Sequence, residues 1–147
     1  MITIPEQLKK EEFRFIKLQK QSKIPIQGIK WSENLYKYDD EELLKWLKEN
    51  GNYGVVAGHG DLRILDIDDI KKAEKFLIEF NTFTVKTPGG GFHFYIISKY
   101  NKNHVLNDGA GEFRANNYYV VGPGCYAIDN NKKHVGDYKI INNKNAN

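Results

Sequence analysis

The sequence has a single cysteine, Cys125, and no long apolar segment. One cysteine excludes an internal disulfide and a zinc site built from several thiolates. No apolar run approaches the roughly 18 residues that a membrane-spanning helix needs. The N-terminal segment MITIPEQLKKEE has acidic residues and a proline where a signal peptide would be apolar. We therefore expect a cytoplasmic protein without a membrane segment.

The sequence also has little excess of either charge. Its 147 residues carry a net charge of +3, which is compatible with a nucleic-acid partner but does not indicate one by itself. Hydrophobic residues make up 40% and aromatic residues 13%, which is enough for a globular core and argues against disorder. This length corresponds to about one domain. We place that domain at residues 1–141 and expect residues 142–147 to form a polar tail.

The pattern of apolar residues predicts an α+β fold. Two segments are typical of amphipathic helices, DDEELLKWLKENG, capped by Asp39 or Asp40, and IKKAEKFLIEF, Ile70 to Phe80. A shorter helix is predicted at PEQLKKEE. Strands are predicted at FRFIKL, YGVVAG, LRILDID, FTVKT, FHFYIIS, GEFR, YYVVG and DYKII. Because hairpin turns and helical crossovers both occur, we expect a mostly antiparallel sheet with helices packed on one face.

One predicted strand, RILDIDD, contains carboxylates within an apolar run. Asp66 and Asp68 are two residues apart, so strand alternation places both on one face, about 7 Å apart at the backbone. Two like charges this close favour a cation between them, and carboxylate oxygens are the ligands that Mg²⁺ and Mn²⁺ prefer. Alternatively, the acids end the strand and cap the next helix. That alternative suits Asp69 well and Asp66 poorly, because Asp66 lies inside the run.

Two further segments place polar groups on neighbouring strands. In TPGGGFHFYIIS, Gly90 and Gly91 allow a polyanion to approach the backbone, and His93 is the one ionisable group of the apolar strand that follows. In GEFRANNYYVVGPG, Glu112 and Arg114 share one face of a short strand. Taken alone, the first segment fits a tight hairpin with a core histidine. Taken alone, the second fits an exposed edge strand with an ordinary ion pair. Together with the aspartates, they supply the metal ligands and phosphate contacts of two-metal phosphoryl or nucleotidyl transfer.

The order of the segments carries more information than any one of them. It runs from FRFIKL through SKIPI, GIKW, YGVVAG, LDIDD, TPGGGFHFY and GEFRANNYYVVGPG to a final G-x-Y. In this order the chain resembles, from about Phe13 to Tyr138, the bifunctional primase–polymerase (prim-pol) domain of the archaeo-eukaryotic primase superfamily. The resemblance implies an RRM-like catalytic sheet with helices packed on it and an additional N-terminal αβ unit.

The resemblance also implies a role for each polar residue. The catalytic acids, and the ligands of two Mg²⁺ or Mn²⁺ ions, would be Asp66, Asp68 and Glu112. The incoming nucleotide would be contacted by His93, Arg114, Gly90, Gly91 and Lys23. Two departures from the family pattern are the glutamate at Glu112, where related primases commonly have aspartate, and the turn Gly122-Pro123-Gly124-Cys125, which replaces a Pro-Pro-Ser turn. No zinc-binding stem is present, since Cys125 is the only cysteine.

The implied function is that of a DNA primase/polymerase, a nucleotidyltransferase that makes or extends a primer from nucleoside triphosphates. Its implied partner is a nucleic-acid template, with single-stranded DNA favoured, and a helicase or another replication protein is a further candidate. Template-backbone contacts are expected among the basic residues Lys9, Lys10, Arg14, Lys17, Lys20 and Lys30. Two alternatives stay open at this point: a metal-dependent nuclease that uses the same acids and His93, and a non-catalytic nucleic-acid-binding module.

Overall fold

The chain has the predicted α+β architecture in a computed structural model that describes residues 1–129, 131 and 133–147. The strands are β1 (Phe15–Leu18), β2 (Asn52–Ala57), β3 (Leu62–Ile67), β4 (Thr84–Lys86), β5 (Phe92–Ile97), β6 (His104–Val105), β7 (Gly111–Arg114), β8 (Tyr118–Val121), β9 (Tyr126–Asp129), β10 (His134–Asp137) and β11 (Lys139–Asn142). The helices are α1 (Glu41–Lys48) and α2 (Ile70–Glu79), with short 3₁₀ helices at Glu6–Leu8 and Trp31–Glu33. The pairings between these strands are antiparallel.

The strands of the described residues are divided among three sheets rather than gathered in one. The largest has six strands in the order β11-β4-β5-β3-β7-β6, a second has the order β1-β2-β8, and β9 and β10 form a hairpin. The predicted turn at GHGD does join β2 to β3. However, β2 pairs with β1 and β8, whereas β3 pairs with β5 and β7. At this turn the chain therefore crosses from the three-stranded sheet to the six-stranded sheet.

Both faces of β3 are covered by apolar side chains. On one face Leu65 and Ile67 pack with Phe94 of β5 and Ala73 of α2. On the other face Ile64 belongs to the main core, which also contains the buried residues of β1, β2 and α1. Because α1 contacts β1 and β2 while α2 contacts β3, the helices lie on different sheets. This differs from the expected placement of both helices on one face of a single sheet.

Side-chain caps define the start of both helices, as predicted. Asp40 accepts a hydrogen bond from the backbone N–H of Glu42 at 2.9 Å, and Asp69 accepts one from that of Lys71 at 3.0 Å. The Trp46 indole N–H donates to the carbonyl oxygen of Leu18, 2.9 Å away, and so ties α1 to the end of β1. Across the described residues, neither helix has the length and apolar character needed to cross a membrane.

The chain ends differ from the predictions. Only Glu6–Leu8 of the predicted PEQLKKEE helix is helical, as a single 3₁₀ turn with Leu8 as its one buried residue. At the other end, β11 extends to Asn142, one residue into the predicted polar tail. The Asn147 N–H donates to the Thr82 hydroxyl oxygen at 2.9 Å. Residues 142–147 are therefore in contact with the rest of the domain.

The single cysteine is inaccessible in the folded chain. Cys125 is fully buried, and its sulfur accepts a hydrogen bond from the Tyr53 N–H at 3.4 Å. Burial raises the pKa of the thiol to about 12, and the thiolate is the reactive species. We therefore expect iodoacetamide to alkylate Cys125 at least about 100-fold more slowly in the native protein than in denaturant at the same mildly alkaline pH. Equal rates in the two states would show that the Cys125 environment described here is wrong.

Candidate active site

The register of the six-stranded sheet places three of the predicted site residues in one row. Asp66 on β3 lies directly opposite His93 on β5 and directly opposite Glu112 on β7. Residues directly opposite one another on antiparallel strands project from the same face of the sheet. Because β3 lies between β5 and β7, Asp66 is at the centre of the row Glu112–Asp66–His93.

The row faces a cleft of about 580 Å³. Apart from Gly90, all of the site residues predicted from the sequence line this cleft: Lys23, Asp66, Asp68, Gly91, His93, Glu112 and Arg114. The cleft also has an apolar wall formed by Ile24, Val120, Val121 and Ala127. Predicted residues from four separate segments of the sequence are thus brought to one place.

Asp66 is largely buried, and its surroundings favour the ionised carboxylate. Its side chain is 16% exposed, and its Oδ1 lies 3.5 Å from Nε2 of His93, whose side chain is 7% exposed. Burial opposes ionisation of Asp66, but its electrostatic interactions with His93, Arg114 and Asp68 more than offset that effect, so the pKa of Asp66 is lowered. The His93 ring in turn stacks on Tyr138, with ring centroids 6.0 Å apart. The result is a fixed anionic group deep in the cleft.

Glu112 has a second partner in the cleft. Its Oε2 lies 2.7 Å from Nη1 of Arg114, and the Arg114 guanidinium carbon lies 4.2 Å from the centroid of the Tyr118 ring. In the part of the chain that the structure describes, no group of three or more Asp, Glu, His or Cys side chains is close enough together to hold a metal ion. Asp66, Asp68 and Glu112 therefore share a cleft without forming a preassembled three-acid cluster.

Glycines allow the neighbouring chains to approach β3 closely beside the acids. A Cβ atom on Gly111 would overlap the carbonyl oxygen of Asp66, and a Cβ atom on Gly91 would overlap that of Ile67. Gly90 has a different role. Its φ is +89°, and its N–H donates to the Thr87 carbonyl oxygen at 3.0 Å within the turn. Gly90 therefore shapes the loop, and its position does not support the expected contact with the nucleotide.

The far side of the cleft combines one predicted residue, Lys23, with residues that the sequence patterns did not single out. Lys23 forms an ion pair there with Asp129, with Nζ and Oδ2 3.2 Å apart. Asp129 and His134, from the β9–β10 hairpin, and Tyr138 also line the cleft. Only Tyr138 had a signal in the sequence, as the last residue of the G-x-Y motif. The basic N-terminal residues lie elsewhere, and several of them pair with nearby glutamates: Lys9 with Glu6, Lys17 with Glu42 and Lys30 with Glu33.

Comparison with known protein families agrees with the resemblance seen in the motifs. The family model described as bifunctional DNA primase/polymerase, N-terminal (Prim-Pol) matches residues 6–145. No curated protein shows significant sequence similarity to the chain. The matched range spans nearly the whole chain and includes all the residues that line the cleft. The chain therefore belongs to the Prim-Pol family of bifunctional DNA primase/polymerase N-terminal domains.

Proposed function

We propose that this Prim-Pol domain is a divalent-metal-dependent nucleotidyltransferase that makes or extends a primer on a single-stranded DNA template. Family membership supports a primase/polymerase-type function. The observation that carries the more specific proposal is Asp66, a nearly buried carboxylate in an apolar strand with Glu112 and His93 on either side. Burying a charge is costly unless it has a partner. An ionised acid held in this position is suited to a cation ligand.

The side chains of the cleft suit hard divalent cations. Asp66, Asp68 and Glu112 offer carboxylate oxygens, the ligands that Mg²⁺ and Mn²⁺ take. Asp66 and Asp68 would hold the ions, and Glu112 would complete the set after releasing Arg114. When bound, such ions activate the attacking hydroxyl and stabilise negative charge on the leaving pyrophosphate.

The cationic groups beside the acids suit the phosphates of a nucleotide. Arg114, Lys23 and His93 all line the cleft, and the planar guanidinium of an arginine binds phosphate through paired hydrogen bonds. Because Arg114 now pairs with Glu112, an arriving phosphate competes with Glu112 for Arg114. Nucleotide binding would thus free the Glu112 carboxylate at the time when a metal ligand is needed.

We further infer that the six-stranded sheet is the RRM-like catalytic sheet of the primase superfamily. Two features support this assignment: α2 packs against β3 and β5 on one face of the sheet, and the row Glu112–Asp66–His93 lies on the other. The unit made of β1, α1 and β2 would be the additional N-terminal αβ unit.

The function is tested by incubating the domain with a template, labelled nucleoside triphosphates and Mg²⁺ or Mn²⁺, with and without a primer. We expect labelled product that requires both template and metal and that disappears when the metal is chelated. No product with either metal, with or without primer, would contradict the proposal. Metal-dependent strand cleavage without triphosphates would indicate a nuclease. Strand binding that needs neither metal nor nucleotide, without any product, would indicate a binding module.

His93→Ala is expected to weaken nucleotide binding by about 10- to 100-fold, because a hydrogen bond to a charged group contributes about 1.5–3 kcal/mol. Template binding should stay nearly unchanged. Both affinities are measured by titration, together with the melting temperature, and His59→Ala is the matched control because His59 lies outside this cleft. A lower melting temperature with unchanged nucleotide affinity would show that His93 only packs the core.

Glu112→Gln is expected to reduce incorporation by at least about 100-fold if Glu112 is the third acid, since each metal–oxygen contact stabilises transition-state charge. If Glu112 only pairs with Arg114, the substitution should cost about 0–1 kcal/mol of stability and leave the rate alone. The rate under single-turnover conditions separates these outcomes. Glu33→Gln is the control, because Glu33 forms a similar ion pair with Lys30 away from the cleft.

A further inference from the structure

Three aromatic rings form a partly exposed surface at the β6 edge of the six-stranded sheet, outside the cleft. The Tyr100 ring centroid lies 5.6 Å from that of Phe113 and 5.9 Å from that of His104. The His104 and Phe113 rings are stacked, with centroids 5.6 Å apart. Tyr100 is 52% exposed, and His104 is exposed as well. We call Tyr100, His104 and Phe113 the aromatic platform. Rings with open faces are the groups on which unpaired nucleobases stack.

Hydrogen bonds hold the segment that presents Tyr100. The buried Arg63 donates to the carbonyl oxygens of Ser98 at 3.0 Å and Ala115 at 2.8 Å. Asn103 Oδ1 accepts from the Ala115 N–H at 2.6 Å, and the Ser98 hydroxyl oxygen accepts from the Tyr100 N–H at 3.1 Å. An exposed aromatic on a segment that is already ordered loses less conformational entropy on binding.

Positive charge flanks the aromatic platform. The Lys99 side chain is 92% exposed, and its only neutralising contact among the described residues is an ion pair with Asp61 at 2.6 Å. Such an exposed pair contributes little and is readily screened, so a phosphate can compete for Lys99. Lys102 is also exposed. Aromatic rings between lysines are the combination that binds a single-stranded polyanion.

The strand register places the aromatic platform next to the row Glu112–Asp66–His93. On the β6–β7 pair, His104 lies opposite Phe113, and the next residue, Val105, lies opposite Glu112. The platform residues His104 and Phe113 are therefore offset by one residue along the strands from Glu112. Because side chains alternate along a strand, they project from the face of the sheet opposite to the row Glu112–Asp66–His93. A strand that stacks on the platform can pass around the short β6 edge to reach the cleft.

We propose that the aromatic platform, with Lys99 and Lys102, binds single-stranded nucleic acid by stacking unpaired bases and directs that strand around β6 toward the cleft. The identification of this strand as the template rests on the proposed function. The binding itself requires neither metal nor nucleotide. Duplex DNA binds weakly here, because its bases are already stacked on one another.

The test measures fluorescence anisotropy of labelled oligomers of about 12 nucleotides in the presence of a chelator. The probes are oligothymidine, oligouridine and an abasic oligomer that has the phosphates without the bases. Tyr100→Ala should weaken oligothymidine binding at least about five-fold, while Tyr100→Phe, which keeps the ring, should bind as the unaltered domain does. Tyr126→Ala is the matched control, because Tyr126 is a 37% exposed tyrosine on β9.

The abasic oligomer separates stacking from charge. It should bind weakly, and Tyr100→Ala should not weaken it further. Lys102→Ala should reduce the slope of log affinity against log salt by about 0.7, the value for one phosphate contact on a single strand. Lys48→Ala, at the exposed end of α1, should leave the slope unchanged. Equal affinity for oligothymidine and oligouridine would show that the platform binds single strands of DNA and RNA alike. Tighter binding of oligothymidine would indicate DNA, and tighter binding of oligouridine would indicate RNA.

The proposal is overturned if the domain does not bind single strands, if Tyr100→Ala binds oligothymidine normally, or if that variant loses affinity for the abasic oligomer equally. Asp66→Asn separates this proposal from the proposed function, since it should bind the oligomers normally while failing to incorporate nucleotides. Tyr100-dependent binding without incorporation under any condition would support strand binding by the platform and contradict the proposed polymerase activity.

Discussion

Asp66→Asn is expected to abolish nucleotide incorporation and leave the fold intact. Asparagine keeps the shape of the side chain but removes the charge at the centre of the row Glu112–Asp66–His93. A bound metal ion supplies several kcal/mol of transition-state stabilisation, so losing its central ligand should slow incorporation by about a thousand-fold or more. Single-turnover incorporation of a labelled nucleotide measures the effect.

The control for this prediction is Asp39→Asn, which removes an exposed aspartate outside the cleft. It should incorporate nucleotides at the unaltered rate. Because the environment of Asp66 lowers the pKa of its carboxyl group, the folded domain favours the ionised form. The Asp66→Asn variant should therefore melt at the same temperature or a slightly lower one in metal-free buffer. Full activity in a folded Asp66→Asn variant would contradict the assignment of Asp66 as a metal ligand.

Gly111→Ala is expected to destabilise the domain strongly, although it adds only one methyl group. The added Cβ would overlap the carbonyl oxygen of Asp66 and crowd the Cα of Ile67. These are backbone atoms of the neighbouring strand, which cannot rotate away as a side chain can. Overpacking costs typically 1–3 kcal/mol, and we expect about 3 kcal/mol or more here, because β7 must move away from β3. Urea denaturation measures the loss.

Gly109→Asn is the matched control for Gly111→Ala. Gly109 has a φ of +72°, and a Cβ there would have no atom within 4 Å. Asparagine tolerates this left-handed conformation better than most residues, so stability should change by less than about 1 kcal/mol. A Gly111→Ala variant with the unaltered urea midpoint would mean that β7 does not approach β3 as closely as described.

Local signals in the sequence were sufficient to predict the helices and the central strands. Capping aspartates marked the start of α1 and α2, and mostly apolar runs marked β3 and β5. Non-local pairing could not be read in the same way, so the separation of β2 and β3 into different sheets was missed. On α1, Leu43 and Leu47 fill the face toward the core, and the adjacent Leu44 is 47% exposed.

The candidate site was predictable where a residue conflicted with its local pattern. Asp66 was visible because a carboxylate interrupts an apolar strand. Its alignment with Glu112 and His93 depends on strand order, which no local pattern specifies. The β9–β10 hairpin, which brings His134 to the cleft, was missed because its side chains have no clear buried face: Ile128 is 38% and Val135 is 53% exposed.

We propose that Asp66, Asp68 and Glu112 bind divalent metal together with a nucleotide. The most direct test is a crystal of the domain grown with Mn²⁺ and a non-hydrolysable nucleoside triphosphate, at concentrations that support incorporation of the natural nucleotide, with anomalous scattering used to locate manganese. We predict anomalous peaks about 2.0–2.2 Å from oxygens of Asp66 and Asp68, with Arg114 turned from Glu112 to the phosphates. Manganese and nucleotide bound elsewhere, with these acids unligated and the Glu112–Arg114 pair intact, would contradict the claim.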